Sequence, residues 1–529
     1  MRNEHVVATT TGVASSAAPV VARLALAVTL LAGAALAAGV LPGAADSAEA
    51  AVVRVGPKVP VTAMDRRVEP ANNSPMLVAD PTDARFVVMA NRLDAPDFGC
   101  ALQVSGDAGR GWRTATPVPN LPLGADKCYA PEVAFDADGV LYYLFVGLAG
   151  RGNEPMGAFL TTSVDRAATF SEPRRVLGPR NFGVRMAIDA DHGAKGRIHL
   201  VWLHATSDPP LGGFGPPPNP ILAAHSDDGG RSFSTPVQVS DPARQRVVAP
   251  ALALGPDHRV HVAYYDLEDD AVDYQGLEGP VWDGTWSMVV ATSSDGGERF
   301  GPGVVVDASI VPAERVMLIF TMPPPALATG GGRVCVGWTD ARHGDPDVLL
   351  RCSNNHGRSW SAPVRANDDR VGNGAHQYLP RLSLAPDGRL DAIFYDRRDT
   401  PGNFGTWVYY TLSRDGGRSF SPNTKLSPDV INPTIGQQYG VVSAMGQVEF
   451  GSRLGLLSRR DGAVAAWTDT HYSKPPTTGQ DIVAAEVQVP GAGRNRGWTR
   501  LVGVALVTGA GGVVLLARRR RRPVAVAEL

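Results

Sequence analysis

Apolar and polar residues alternate in short runs along most of the chain, and turn-forming Gly, Pro, Asp and Asn separate the runs. A clear example is the set of runs at residues 378–384, 389–395 and 407–412, where Pro-Asp-Gly lies between the first two. This alternation predicts β-strands, and no helical period of 3.6 residues is sustained between residues 51 and 490. We therefore predict an all-β fold.

One octet, Ser-Arg-Asp-Gly-Gly-Arg-Ser-Phe at residues 413–420, recurs five more times in equal or weaker form. The other copies begin at Ser105, Ser163, Ser226, Ser293 and Ser353, so the starts lie 58, 63, 67, 60 and 60 residues apart. A repeat of about sixty residues with strand-like flanks is typical of a β-propeller. The Ser and Asp side chains can bond a tight turn, and the eighth-position aromatic residue can anchor it between sheets. We interpret the octet as a folding element.

The units can be counted from these strand patterns. Six complete four-stranded units fit between about residues 74 and 427, and a seventh unit starts near residue 452 without an octet or a fourth strand. A strand candidate at residues 51–61 can supply the missing strand and close the ring, which removes the exposed sheet edges. We predict a β-propeller of seven four-stranded antiparallel blades. Six blades are the alternative if the terminal segments pack outside the ring.

Both ends of the chain predict export and membrane attachment. Residues 24–40 are apolar and precede Ala48-x-Ala50, as in a secretory signal peptide; an uncleaved anchor is the alternative with the same direction of export. Residues 501–517 are apolar and uncharged and precede five arginines, which favours a membrane helix with the propeller outside the cell. The predicted order is a signal peptide at 1–50, the propeller at 51–490, a linker at 491–500, a transmembrane helix at 501–517 and a basic cytoplasmic tail at 518–529.

The charge balance and the cysteines limit which partners and which cellular compartment the sequence is consistent with. The formal net charge of −2, from 50 basic and 52 acidic residues, provides no electrostatic basis for nucleic-acid binding. Four cysteines suit an oxidising exterior, and their places in the predicted strands pair Cys335 with Cys352 and Cys100 with Cys128. Because the sequence shows no Cys-x-x-Cys motif and no His cluster, we predict no metal and no cofactor. The protein is expected to be a monomer.

One position near the start of strand A, the innermost strand of each unit, is charged in four units and small or apolar in the other three. The charged residues are Glu132, Arg185, Arg381 and Arg453, and the others are Met76, Ala251 and Ala326. Because innermost strands line the central channel, the three guanidinium groups are expected to converge at one mouth and to bind an anion such as a carboxylate. The alternative is that each arginine pairs with a neighbouring acid.

The octet, written Ser-x-Asp-x-Gly-x-Ser/Thr-Trp/Phe, closely resembles the Asp box, or BNR repeat, of the sialidase-like propeller superfamily. In sialidases three arginines hold the substrate carboxylate, a Tyr activated by a Glu is the nucleophile, and an Asp is the acid/base. On this resemblance Arg185, Arg381 and Arg453 form the clamp, Tyr439 is the nucleophile and Glu132 is its partner. The family's Phe/Tyr-Arg-Ile-Pro motif is absent, because residues 74–77 read Ser-Pro-Met-Leu.

Further candidates lie at the ends of strands and in long loops on the same face. Asp340, Asp396 and Asp469 end strand B in three units, and Asp396 is the candidate acid/base. Such acids commonly cap a loop or pair with a nearby arginine, and a structural calcium site is a further alternative. Trp282 and Trp286, at a long acidic loop, are candidate substrate-binding residues.

Two functions follow from these patterns. The first is an exported, membrane-anchored, sialidase-like glycoside hydrolase that acts on anionic, sialic-acid-like glycans. The second is a non-catalytic cell-surface propeller that binds glycan or protein partners, because propellers host both classes of function.

Overall fold

The computed structural model describes residues 52–62, 71–115, 120–193, 196–207, 216–271, 282–313, 323–433, 435, 450–471 and 479–490. The candidate nucleophile Tyr439, the predicted signal peptide and the predicted transmembrane helix lie outside these residues. Within the described ranges, no helix has the length and apolar character needed to cross a membrane.

The described residues form seven antiparallel sheets, and in each sheet the strands A to D lie side by side in order. Strand A of every blade contacts strand A of the next, and blade 7 contacts blade 1, so the ring is closed. The described residues therefore form an all-β propeller with seven blades, as predicted, and the six-bladed alternative is wrong. A three-residue 3-10 turn is at Pro401–Asn403.

The strands of blades 1 to 4 have the following bounds. Blade 1 consists of Asn72–Asp80, Asp83–Leu93, Gly99–Ser105 and Arg113–Thr114. Blade 2 consists of Lys127–Phe135, Leu141–Ala149, Glu154–Ser163 and Arg174–Leu177. Blade 3 consists of Asn181–Asp189, Arg197–His204, Ile221–Ser226 and Val237–Gln238. Blade 4 consists of Val247–Leu254, Val260–Asp266, Trp286–Ser293 and Val304–Ile310.

Blades 5 and 6 repeat the same plan, and blade 7 combines strands from both ends of the described chain. Blade 5 consists of Ala326–Gly330, Arg333–Asp340, Asp347–Ser353 and Val364–Arg365. Blade 6 consists of Gln377–Leu384, Leu390–Asp396, Trp407–Ser413 and Thr424–Lys425. Blade 7 consists of Gly455–Arg459, Gly462–Asp469 and Asp481–Gln488, joined by Arg54–Val55 and Val59–Pro60.

The N-terminal segment closes the ring in the predicted way. Arg54 lies opposite Gln488 and Val59 lies opposite Ala484, so two short strands occupy the fourth position of blade 7. Val53 and Val55 pack against the apolar cluster between blades 6 and 7. The segment thus covers a sheet edge that would otherwise expose unpaired backbone groups.

The octets form turns held by their own side chains. In all six, the first-position Ser hydroxyl donates to the side chain of the third residue at 2.8 Å. The same hydroxyl accepts the N–H of the fifth residue at 2.8–2.9 Å. The eighth-position aromatic ring packs into the apolar cluster between its own blade and the preceding one. Each octet therefore serves blade-to-blade packing, as predicted.

Strand direction divides the propeller into two faces. In blade 6, Leu384 pairs with Leu390, which pairs with Ser413 at the start of the octet. The A–B turns and the octets therefore share one end of the blades, which we call the octet face. At the other end Gln377 pairs with Asp396, and the B–C and D–A connections form the loop face.

Two disulfides join the strands that the sequence pairs. Cys335 and Cys352 lie directly opposite each other on strands B and C of blade 5, with their Cα atoms 4.1 Å apart. Cys100 of blade 1 is joined to Cys128 of blade 2, with a Cα separation of 5.8 Å. Both predicted disulfides are confirmed, and the second ties neighbouring blades together.

Candidate functional site

A recurring bulge in strand A positions the channel residues. In blades 1, 2, 3, 4 and 6 the register of strands A and B shifts immediately before the charged or apolar channel position. In blade 6 the bulge contains Leu379, whose φ of 54° is left-handed, followed by Pro380. Pro lacks an N–H group, so a bulge accommodates it without the loss of a ladder hydrogen bond. The bulge reorients the strand just before Arg381, inside the loop-face end of the blade.

Glu132, Arg185 and Arg453 meet at this level. Glu132 of blade 2 is 3% exposed, and its Oε1 atom accepts Arg185 Nη1 from blade 3 at 3.0 Å. Arg453, which lies just before strand A of blade 7, also donates Nη1 to Glu132 Oε1. Two arginines from non-neighbouring positions in the ring therefore share one carboxylate.

Backbone carbonyls in the bulges of strand A also accept hydrogen bonds from the same two arginines. Arg185 Nε donates to the carbonyl of Pro250 at 3.2 Å, and Arg453 Nε donates to the carbonyl of Ser74 at 3.1 Å. Arg453 Nη2 donates to the carbonyl of Pro131. These fixed backbone acceptors orient the guanidinium groups before any ligand is bound, which reduces the entropy lost on binding.

Arg381 completes the group, and no acid among the described residues pairs with it. Its Nε atom is enclosed without a hydrogen-bond partner, and the structure gives Arg381 no hydrogen bond or ion pair to the described residues. Burial, followed by the charges of Arg453 and Arg185, lowers the pKa of Arg381 to about 10, and only Glu132 acts in the opposite direction. Arg381 is therefore still a cation at neutral pH.

The four side chains form one net-positive group, which we call the arginine cluster: Glu132, Arg185, Arg381 and Arg453. Three guanidinium groups and one carboxylate leave an excess of two positive charges in a largely buried place. The arginines converge, and they are not each absorbed by a separate acid. An unpaired buried cation is unfavourable unless something compensates for it, so this group is suited to an anion.

Glu132 is held in its charged form. Burial alone would raise the pKa of Glu132, but the charges and hydrogen bonds of Arg453 and Arg185 outweigh burial and lower the pKa below its ordinary value. A carboxylate with a lowered pKa is a weak base, and both arginines would have to be displaced before it could accept a proton. This geometry favours Glu132 as an anchor for the arginines.

The aspartates at the ends of strand B are occupied by local partners. Asp396 is fully buried and accepts Arg398 Nε and the Gln377 amide at 2.8 and 3.3 Å. Burial raises the pKa of Asp396 above its ordinary value, against the effect of Arg398. Asp340 likewise pairs with Arg342 at 2.6 Å. These contacts are those of loop-capping acids, which is the alternative role considered for them above.

The tryptophans lie at the base of the loop between strands B and C of blade 4. Trp286 is 9% exposed, stacks edge-on against Tyr265 and donates Nε1 to Asp270 at 3.0 Å. It is therefore part of the packing between blades 4 and 5. Trp282 is half-buried against the same apolar cluster, and its Nε1 atom is enclosed without a partner among the described residues.

Sequence reasoning missed Arg92, which lies beside the arginine cluster. This residue is 2% exposed, pairs with Asp94 at 2.6 Å and stacks over the ring of Tyr129. Its charge contributes to the lowered pKa of Arg453. The available signal was the Arg-Leu-Asp sequence where strand B of blade 1 ends, one residue further along the register than Trp-Thr-Asp of blade 5.

No protein family and no curated protein sequence matches the chain. Solved structures do match it. One is a protein of unknown function from Dyadobacter fermentans, with 12% identity, a TM-score of 0.43 and coverage of 83% of this chain and 99% of that chain. A Hadza microbial sialidase matches with 14% identity, a TM-score of 0.40 and coverage of 77% and 74%.

A polysaccharide lyase of family PL25, an ulvan lyase, matches with 12% identity, a TM-score of 0.45 and coverage of 82% of this chain and 96% of that chain. The propeller fold predicted from the octets is shown by the seven sheets and their closed ring.

Proposed function

We propose that this protein is an exported, membrane-anchored propeller that binds the acidic group of a glycan at the arginine cluster. The observation that carries the proposal is Arg381, a largely enclosed cation that lies beside two other arginines and is paired with no acid in the described part of the chain. A carboxylate at this point would accept charge-assisted hydrogen bonds from the planar guanidinium fork and would compensate the excess charge.

The class of ligand follows from the same chemistry. Uronic acids and sialic acids combine one carboxylate with many hydroxyl groups, and hydroxyl groups can bond the polar side chains and carbonyls around a channel. A neutral sugar would leave the positive charge of Arg381 uncompensated. We expect a preference for acidic over neutral sugars, in a monomeric protein that requires no cofactor and does not bind nucleic acid.

Hydrolysis of a sialic-acid-like glycoside is the second candidate. The convergence of three arginines favours it, since sialidases hold the substrate carboxylate in this way. The reaction would need Tyr439 as nucleophile, with Glu132 and Asp396 as its partner and acid/base. Glu132 and Asp396 are both bound by arginines, so we rank glycan binding first.

The decisive experiment combines binding and turnover. Isothermal titration of the purified protein with sialic acid, glucuronic acid and their neutral counterparts should give heat only with the acids. Arg418→Met, on the exposed octet of blade 6, is the control and should bind as the wild type does. Equal binding of neutral and acidic sugars, or no binding of either, would contradict the proposal.

Turnover separates the two candidates. A panel of fluorogenic sialosides and other glycosides should be bound but not cleaved if the protein is a binding module. Cleavage that is lost in Tyr439→Phe but retained in Arg418→Met would establish the hydrolase.

The proposed location rests on the two terminal segments of the sequence. Membrane fractionation of the full chain should recover it in the membrane, with the propeller sensitive to protease added outside intact cells. A chain ending at residue 500 should be released into the medium. Retention of that shorter chain in the membrane would contradict the anchor assignment.

A further inference from the structure

Two A–B turns on the octet face depart from the five-residue, glycine-containing form that blades 2 and 6 use. In blades 2 and 6 the fourth residue of the five-residue turn is a glycine, Gly139 or Gly388, with φ of 80° and 85°. In blade 4 the turn occupies residues 255–259, and the fourth residue is His258 with φ of 57°. A side chain in the left-handed region costs free energy that glycine avoids. The sequence therefore retains a histidine where glycine would be easier.

The neighbouring turn of blade 3 is longer and also contains a histidine. Asp189 pairs with Arg197, so the turn spans residues 190–196, two residues more than the turn at 255–259. His192 lies in this extension. Neither turn is needed in this form for the blade, because blades 2 and 6 do without the extension and the histidine.

The two unusual turns meet. His258 Nδ1 lies 2.7 Å from Asp189 Oδ2, and His192 Nδ1 lies 4.0 Å from the same oxygen. The two imidazole rings are edge to face, with centroids 4.6 Å apart. Each of the three residues offers one possible metal-ligand atom, a ring nitrogen or a carboxylate oxygen, and these three atoms lie within 4.8 Å of one another. His192 Nδ1 is enclosed and has no hydrogen-bond partner in the described part of the chain.

We propose that Asp189, His192 and His258 bind a divalent transition-metal ion, with Zn²⁺ as the ion of choice. Two imidazoles and one carboxylate are a ligand set typical of zinc sites that keep a further position for water. Around Zn²⁺, bonds of about 2.0–2.2 Å place tetrahedral ligand atoms roughly 3.3 Å apart. Relative to Asp189 Oδ2, His192 therefore has to approach by less than 1 Å and His258 has to withdraw by a similar amount. The two imidazole nitrogens, which lie within 4.8 Å of each other, have to approach by at most about 1.5 Å. Both histidines are partly exposed, with side-chain exposures of 27% and 43%, so small rotations suffice.

Two arginines are close to this site in the sequence, Arg197 at the start of strand B in blade 3 and Arg259 directly after His258. Arg197 is paired with Asp227 at 2.6 Å and with Glu298 at 3.0 Å. The charge of Arg197 is therefore compensated by two carboxylates. The metal would join the A–B turns of blades 3 and 4 on the octet face, at the opposite end of the blades from the loops. The proposal is independent of glycan binding.

Direct metal binding tests this proposal. The full chain, prepared without a histidine tag and stripped with a chelator, is titrated with Zn²⁺ in competition with a chromophoric chelator. We expect one ion per chain and a rise in melting temperature on binding. Removal of a residue that only hydrogen-bonds a metal ligand reduces metal affinity by about 10–100-fold. Removal of a ligand itself should cost at least as much, so we expect His258→Gly and His192→Ala each to weaken Zn²⁺ binding at least tenfold.

His258→Gly is suited to this test because it restores the residue that blades 2 and 6 use. The variant should fold with an unchanged or higher melting temperature in the absence of metal. The matched control is His343→Ala, which removes another exposed histidine that pairs with an aspartate, Asp347, at 2.9 Å. That pair has no third ligand among the described residues, so Zn²⁺ affinity should stay at the wild-type value.

The proposal is overturned if the wild type takes up no Zn²⁺, or if His258→Gly and His192→Ala bind as tightly as His343→Ala. Calcium provides a further check. A nitrogen-rich ligand set should prefer Zn²⁺, so Ca²⁺ binding of equal affinity would also contradict it.

Discussion

Replacement of Arg381 by methionine should stabilise the free protein and at the same time weaken its binding of acidic ligands. Among the described residues no acid pairs with Arg381, and burial with the charges of Arg453 and Arg185 lowers its pKa to about 10. Below that pH the side chain is charged in both the folded and the unfolded state, but the charge is less favourable in the folded state. This penalty to stability is therefore fully present at pH 7; it declines as the pH rises above the folded pKa and disappears only above the higher pKa of the unfolded state.

The depression of the Arg381 pKa corresponds to about 3 kcal/mol of unfavourable charging. Methionine has a similar shape and no charge, so Arg381→Met should raise the free energy of unfolding by about 1–3 kcal/mol. Unfolding entropy of about 2.1 cal/mol/K per residue makes this roughly 1 °C per kcal/mol for a propeller of this size, a shift that scanning calorimetry can measure. Loss of one charge-assisted bond, worth about 1.5–3 kcal/mol, should weaken an acidic ligand at least tenfold.

The control is the same substitution at Arg389 in the same blade. Arg389 is 1% exposed and pairs with Asp391 through two hydrogen bonds of 2.7 and 2.9 Å. Arg389→Met leaves the buried Asp391 without its cationic partner, with hydrogen bonds only from the hydroxyl groups of Tyr410 and Ser458. The variant should therefore lower stability by about 3–5 kcal/mol. The two variants should therefore move the melting temperature in opposite directions. The reasoning is refuted if Arg381→Met destabilises as Arg389→Met does, or if it binds acidic sugars as tightly as the wild type.

Three further predictions concern the scaffold. Deletion of residues 51–62 should expose the Asp481–Gln488 edge, lower the melting temperature by several degrees and promote association; a monomer with unchanged melting would argue against closure by this segment. Asp415→Ala should cost about 0.5–2 kcal/mol, by analogy with other side-chain caps, and leave acidic-ligand binding intact; loss of binding without loss of stability would contradict a structural role. Hydrogen bonds from Ser232 lower the pKa of Asp228, so its contribution to stability is present above about pH 4 and is lost on acidification; the decline in melting temperature below pH 4 should be shallower in Asp228→Asn, and an equal decline would refute this.

Repetition explains why the fold was predictable from the sequence. The six similarly spaced octets indicate the number and size of the units. The last unit lacks a fourth strand and the N-terminal segment is strand-like and unassigned, which together indicate how the ring closes. The cysteine pairs followed for the same reason, because Cys335 and Cys352 have defined places in a hairpin of known register.

The arginine cluster was predictable in membership but not in geometry. Alignment of the units identified Glu132, Arg185, Arg381 and Arg453, because a charged residue is visible in a repeat where other units have a small or apolar one. The partners were not visible. That Glu132 receives two arginines while Arg381 receives no acid depends on side-chain rotation across a channel, which no local pattern encodes.

The sequence by itself determined the repeat, the strand order and the closure of the ring, because these depend on local alternation and turn chemistry. Only the tertiary structure brought His258 to Asp189 and His192, because their two turns are far apart in the chain but adjacent in the propeller. A local sign was present, since Pro-Asp-His in blade 4 stands where blade 6 has Pro-Asp-Gly. The histidine in this turn indicates a metal site only once the turn is known to contact blade 3, and that contact is set by packing of the whole ring.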